Sequence, residues 1–135
     1  FSRCLNTLPF DREDNSTQSL RIAKEVLLQG ENLLVFPEGT RSISGELQPF
    51  KPGLGLLAYE TSASIIPTYI AGTFKALPKG KRFPRKISIS VVFGAPIMSD
   101  SRQDPTADKM SHEIYRDITN EVRTRIENLR DTVDD

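Results

Sequence analysis

Hydrophobic and polar positions along the chain follow two periods. Leu20, Ala23 and Leu27 recur at helical spacing, widened by Ile22 and Val26 into a stripe broad enough to bury. Asn15, with Gln18 three residues on, makes a capping-box pattern ahead of that stripe, and Gly30 supplies the left-handed residue that ends a helix. The run 33–36, LLVF, is apolar throughout, which predicts a short strand covered on both faces. Pro52 at a first helical position, followed by Leu54, Leu56, Leu57 and Ala58, predicts a second helix. Gly53 and Gly55 either weaken that helix or let another backbone approach it. Residues 65–70 read as a strand interrupted by Pro67, which cannot donate to a ladder. Ile87, Ile89, Val91 and Phe93 alternate with Ser88, Ser90 and Val92, a half-buried strand. Met110, Ile114, Ile118, Val122, Ile126 and Leu129 mark a long amphipathic helix over about 108–130.

Strands alternating with helices predict an α/β fold, a mainly parallel or mixed central sheet flanked by helices. In such sheets ligands bind beyond the carboxyl ends of the strands. Two polar turns occupy such positions: DRED (11–14) after the strand end 8–10, and PEGTRS (37–42) after the 33–36 run. Each holds an arginine, so both can converge on one site.

Composition narrows the chemistry. The chain has 135 residues, 37% of them hydrophobic, which suits one domain or a large piece of one. Eighteen basic and eighteen acidic residues cancel, giving no reason to expect nucleic acid. The charge is nevertheless uneven. Residues 75–86 carry six cations (Lys75, Lys79, Lys81, Arg82, Arg85, Lys86) and no acid, while 100–135 holds ten acidic residues against six basic. The basic segment is either a solvated loop or a surface for anionic headgroups or ligand phosphates. One cysteine, Cys4, and one histidine, His112, leave no internal disulfide and no zinc site of several Cys or His ligands. An intracellular protein is the default expectation, and no apolar run reaches the length of a transmembrane helix. The first residue, Phe1, stands in a stretch with strand character, which raises the expectation that the chain begins partway through a longer protein.

Within PEGTRS, Gly39 permits a sharp turn, and Arg41 offers a planar fork of donors suited to a phosphate. Charge-assisted hydrogen bonds contribute about 1.5–3 kcal/mol each, so Arg12 and Arg41 together can set affinity for a phosphorylated ligand. Lys51, in FKPG, is a third cation. Glu38 repels an anion; it accepts a hydrogen bond from a substrate hydroxyl, or it holds an arginine. Alternatively, Glu38 and Arg41 form a local surface ion pair worth about 0–1 kcal/mol. Ser42, Ser44 and Cys4 have no adjacent base to make them nucleophiles. His112 and Asp117 are five apart on a predicted helix, hence about 140° apart around its axis, and do not readily meet.

FPEGTRS (36–42) resembles the most distinctive motif of the glycerolipid acyltransferases, the lysophosphatidate and glycerol-3-phosphate acyltransferase group. LPFDR (8–12) resembles the block before it and IIPTYIAGT (65–73) the block after it, in the same order and spacing. The resemblance covers roughly 8–96 and makes the chain the C-terminal portion of a single acyltransferase domain. It implies that Arg12, Glu38, Gly39, Thr40 and Arg41 bind the acyl acceptor, with Lys51 at a commonly basic position and Pro67 at the late proline that shapes the site. It implies an acyl-CoA or acyl-carrier-protein donor, a lysophospholipid or glycerol phosphate acceptor, no bound cofactor or metal, and a location on the cytoplasmic face of a membrane. The segment 75–86 with Phe74 and Phe83 is the expected membrane contact. The family's catalytic histidine, followed after four intervening residues by an aspartate, precedes the FDR block. The seven residues ahead of Leu8 contain no histidine. Two readings follow: an enzyme portion whose base lies upstream and which is inactive alone, or a non-catalytic module that binds phosphorylated lipid. A nucleotide-binding domain is disfavoured, since no GxxxxGK[ST] or GxGxxG pattern occurs.

Overall fold

The computed structural model describes residues 16–98 and 111–134. The 8–10 strand end, Arg12, Asn15 and Met110 lie outside them. In chain order the elements are α1 (Ser16–Leu28), α2 (Gly53–Thr61), β1 (Thr68–Ala71), α3 (Thr73–Ala76), β2 (Ser90–Phe93) and α4 (Ser111–Asp134).

α1 buries Ala23 completely, with Ser19 beside it on the same face. It stops where Gly30 turns left-handed at φ 81°. The Gly30 and Glu31 N–H groups donate to the Leu27 and Val26 carbonyls at 3.0 and 3.3 Å, which satisfies the last turn. α2 starts directly behind Pro52 (φ −66°) and ends at Ser62 in the left-handed region (φ 54°). Leu20 of α1 lies against Gly53, and Lys24 pairs with Glu60 at 3.0 Å, so α1 and α2 are joined along their length.

The closest approach in the fold is between α2 and α4. A Cβ at Gly55 would overlap the Tyr115 carbonyl oxygen, so only glycine fits there. The Gly55 N–H donates to Thr119 Oγ1 at 3.2 Å, and that hydroxyl donates to the Tyr115 carbonyl at 2.8 Å. Thr119 is buried, and this relay satisfies it inside an otherwise apolar seam. Leu57 and Ala58 on α2, with Val122 and Ile126 on α4, are the buried apolar positions of these two helices. The Tyr59 and Tyr115 rings meet edge to face with centroids 5.4 Å apart.

β1 and β2 pair antiparallel, with Thr68 opposite Phe93 and Ala71 opposite Ser90. A separate bridge joins Ile65 and Ile97 through hydrogen bonds of 2.9 and 2.8 Å. Pro67 lies between bridge and ladder, buried, with its carbonyl accepting the Gly94 N–H at 2.8 Å. Lacking an N–H itself, it splits the predicted 65–70 strand, which therefore resumes only at Thr68. α4 packs against β1 as well as α2.

The α/β class is as expected; the ladder among the described residues is an antiparallel pair, compatible with a mixed sheet, and two details of the strands differ from expectation. Residues 33–36 belong to no ladder there; Leu33 and Val35 are half-buried while Leu34 and Phe36 are 77% and 66% exposed. One face is thus covered rather than two, and among the described residues the run has no paired strand beside it. The 87–93 alternation yields a strand only over Ser90–Phe93, since Ile87 and Ile89 belong to an exposed approach to it.

Substituting Gly55→Ala gains about 1 kcal/mol of helix propensity but drives a methyl into a backbone carbonyl, where overpacking costs about 1–3 kcal/mol or more. Urea unfolding is expected to show a net loss of stability of about 1–2 kcal/mol. Unchanged or increased stability would mean that α2 does not approach α4 this closely.

Candidate functional site

The PEGTRS turn is carried between the extended 33–36 run and the start of α2. It begins with a tight bend, in which Gly39 at φ 67° donates its N–H to the Phe36 carbonyl at 3.0 Å. It closes where the Lys51 N–H donates to the Pro37 carbonyl at 2.9 Å. Residues 37 and 51 therefore form the base of one loop, and α2 starts two residues later.

Glu38 points back into this loop, half-buried, and its Oε2 accepts the Gln48 N–H at 2.8 Å. Ser42 closes a smaller turn: its hydroxyl oxygen accepts the Gly45 N–H at 2.8 Å and donates to the Glu46 carbonyl at 2.9 Å. The Lys51 side chain lies across Gly39. A Cβ at position 39 would stand 2.9 Å from Lys51 Cε and 3.1 Å from Nζ. Gly39 is thus required for its left-handed backbone, and the flexible end of the Lys51 side chain occupies the space a Cβ would take.

The two readings of Glu38 and Arg41 can now be separated. The Glu38 carboxylate is engaged by a backbone N–H, while Arg41 is exposed and makes no side-chain hydrogen bond or ion pair with another described residue. The local ion pair is not formed. Thr40 is exposed, its hydroxyl reaching the Arg41 carbonyl only at 3.5 Å, the outer limit of a hydrogen bond. The turn therefore spends its acid on holding its own shape and presents two cations, Arg41 and Lys51. That arrangement suits a ligand with a doubly negative phosphate.

Two supports come from outside the turn, one from Arg130, which the sequence did not point to, and one from Phe74, which it pointed to for another role. Arg130 of α4 reaches Glu46 at 3.3 Å and its neighbour Asp131 at 3.2 Å. The hydrogen bond that Arg130 donates to Asp131, and then the charges of Asp131 and Glu46, hold the Arg130 pKa above its ordinary value. The Phe74 ring lies against Gly45, where a Cβ would come within 3.1 Å. Glu46 and Arg130 are 84 residues apart in the chain, and no local pattern announces such a pair.

The remaining candidates are placed differently. Arg12 lies outside the described residues. Pro67 is buried ahead of β1 and its carbonyl accepts the Gly94 N–H, so the structure places it in the packing of the sheet. His112 and Asp117 are exposed on α4, with the His112 ring edge-on to Tyr115 at 6.1 Å. Among the described residues no group of three metal-ligating side chains occurs, and no helix is long and apolar enough to cross a membrane.

Comparison with known proteins gives a consistent result. The profile of the acyltransferase family matches residues 1–71, which include the PEGTRS turn and Lys51. The chain is 39% identical over 105 residues to the 1-acyl-sn-glycerol-3-phosphate acyltransferase of Limnanthes alba, covering 73% of this chain and 36% of that protein. To the enzyme of that name from Bacillus subtilis it is 27% identical over 134 residues, covering 99% of this chain and 62% of the other. The crystal structure of the 1-acyl-sn-glycerophosphate (LPA) acyltransferase PlsC from Thermotoga maritima superposes with a TM-score of 0.65 at 28% identity, covering 86% of this chain and 46% of that one. The chain thus spans about a third of the length of the plant relatives it matches.

The loop geometry predicts a specific effect of Glu38. Replacing it with Ala leaves the Gln48 N–H without its acceptor, whereas Gln keeps a carbonyl in place. Amide hydrogen exchange at Gln48 is expected to accelerate about tenfold in Glu38→Ala and much less in Glu38→Gln, as for loss of a bond worth about 1–1.5 kcal/mol. Equal exchange in all three proteins would show that the carboxylate does not close the loop.

Proposed function

Starting from a chain that belongs to the acyltransferase family, we propose that residues 37–51 recognise the acyl acceptor of an O-acyltransferase of glycerolipid synthesis. The observation that carries this reading is the division of labour in the turn. Glu38 is committed to a backbone N–H, leaving Arg41 and Lys51 uncompensated by the motif's own acid. The acceptor is a 1-acylglycerol-3-phosphate or a close lysophospholipid, its phosphate lying on Arg41 and Lys51, with Arg12 as a further cation on the same phosphate. Gly39 and Thr40 complete the rim.

The reaction is transfer of an acyl group from a thioester, carried by CoA or an acyl-carrier protein. The acceptor hydroxyl oxygen bonds to the thioester carbonyl carbon, the carbon–sulfur bond breaks, and the hydroxyl proton passes through a general base to the departing thiolate. In this reading the base is a histidine of the His-x4-Asp type ahead of Leu8, so the 135 residues bind acceptor without turning over on their own. Acceptor and product are both lipids, which supports work at a membrane surface, on its cytoplasmic face in this reading.

The test is acyl transfer from acyl-CoA to lysophosphatidate by the 135-residue chain and by a polypeptide extended upstream along its gene. Only the extended form is expected to turn over. Arg41→Ala in that form should lower kcat/KM roughly 10- to 100-fold, chiefly through KM, as for one charge-assisted contact of about 1.5–3 kcal/mol. If neither form turns over while both bind phosphorylated lipid, the chain is a binding module and the enzyme reading fails.

A further inference from the structure

Beyond β1 the chain makes an excursion that the acceptor turn does not use. The four-residue α3 runs into a loop closed at its base by the Arg85 N–H donating to the Ala76 carbonyl at 2.7 Å. The tip is turned by the Lys81 N–H on the Pro78 carbonyl at 3.1 Å, with Gly80 left-handed at φ 89° and open space around it. Every residue from 79 to 91 is exposed. Lys79, Lys81, Arg82, Arg85 and Lys86 stand on this loop with Lys75 just before it, and none makes an ion pair with another described residue. Among them Phe83 is 81% exposed. Phe74, expected from the sequence to share its role, does not: its ring is half-buried against Gly45.

That contact fixes the position of the loop. Phe74 anchors α3 to the 42–46 turn, so the basic loop grows from the flank of the acceptor loop. Ile43, 74% exposed, lies on the same stretch, two residues from Gly45.

We propose that the 78–86 loop docks the protein on an anionic lipid bilayer, with its cations among the headgroups and the Phe83 ring at the acyl boundary. Six cations in a segment, 75–86, that contains no acidic residue complement a negative leaflet. Four of the six are lysines, point charges suited to a diffuse field rather than to fixed bidentate partners. An uncovered aromatic ring among them matches the interfacial pattern, in which apolar side chains enter the headgroup boundary while cations remain outside. The inference rests on the acyltransferase reading only for its consequence, that docking holds the acceptor turn close to the lipid from which acceptor is drawn. Docking itself is read without turnover.

The chain contains no tryptophan, so Phe83→Trp places a single fluorescent reporter at the proposed depth. Emission is expected to shift to the blue with phosphatidylcholine vesicles containing phosphatidylglycerol, to stay unshifted with pure phosphatidylcholine, and to revert in high salt. Each basic residue near such a leaflet is worth roughly fivefold in partition. Reversing Lys79, Lys81, Arg82 and Arg85 to Glu should therefore lower vesicle binding by roughly two orders of magnitude or more. Circular dichroism checks that this variant keeps its helices, and the salt dependence of Phe83→Trp decides the question if it does not. No blue shift, an equal shift on both vesicle types, salt-insensitive binding, or capture by an acidic carrier protein in place of vesicles would each overturn the proposal. Acyl transfer to a short-chain soluble acceptor by the upstream-extended polypeptide, retained despite such a failure, would leave the acceptor reading standing and remove only the docking.

Discussion

How closely α2 lies against α4 decides where the PEGTRS turn is held. At Gly55 the two backbones are separated by no side chain, and a hydrogen-bonded threonine, Thr119, fills the seam between them. This fixes the start of α2, and with it Pro52 and Lys51. The Lys51 N–H in turn holds the Pro37 carbonyl, so the helix crossing is carried through to the base of the turn. Packing of small residues is the physical cause, because interiors tolerate little change in volume at such a contact.

The turn itself shows how one sequence motif divides structure from recognition. Glu38 and Ser42 are consumed internally, by the Gln48 N–H and by the Gly45 N–H and Glu46 carbonyl. Arg41 and Lys51 are left exposed, with the Lys51 side chain lying against Gly39. A carboxylate beside an anion site costs affinity unless it is neutralised or occupied, and here a backbone donor occupies it. Preorganisation of this kind lets a ligand gain its charge-assisted contacts without first ordering the loop. Arg130 on α4 and Phe74 on α3 brace the far side of the loop, tying it to elements that come much later in the chain.

Much of this was legible in the sequence. The helical stripes of α1 and α4, the left-handed stop at Gly30 and the break at Pro67 follow from local chemistry, and local chemistry decides them. PEGTRS also announced itself, since few structural needs demand a glutamate, a glycine and an arginine within four positions. Pairing was less visible. The 33–36 run looked like a buried strand because apolarity records what a side chain prefers and not which backbone lies alongside it. The choice between a Glu38–Arg41 pair and a carboxylate bound to the backbone was equally hidden, because Gln48 contributes an N–H that every residue but proline carries. Glu46 with Arg130, and Gly45 with Phe74, are meetings that only the fold creates.

The central claim is that the 37–51 loop is a prebuilt cradle for a glycerol-linked phosphate. It is tested most directly by following backbone amide signals of the chain during titration with sn-glycerol 3-phosphate, with glycerol as the control. The account predicts shifts concentrated at Gly39, Thr40, Arg41 and Lys51, little change at Gln48, and none with glycerol. Shifts scattered over the basic 79–86 segment with the turn unmoved, or equal responses to both compounds, would contradict it.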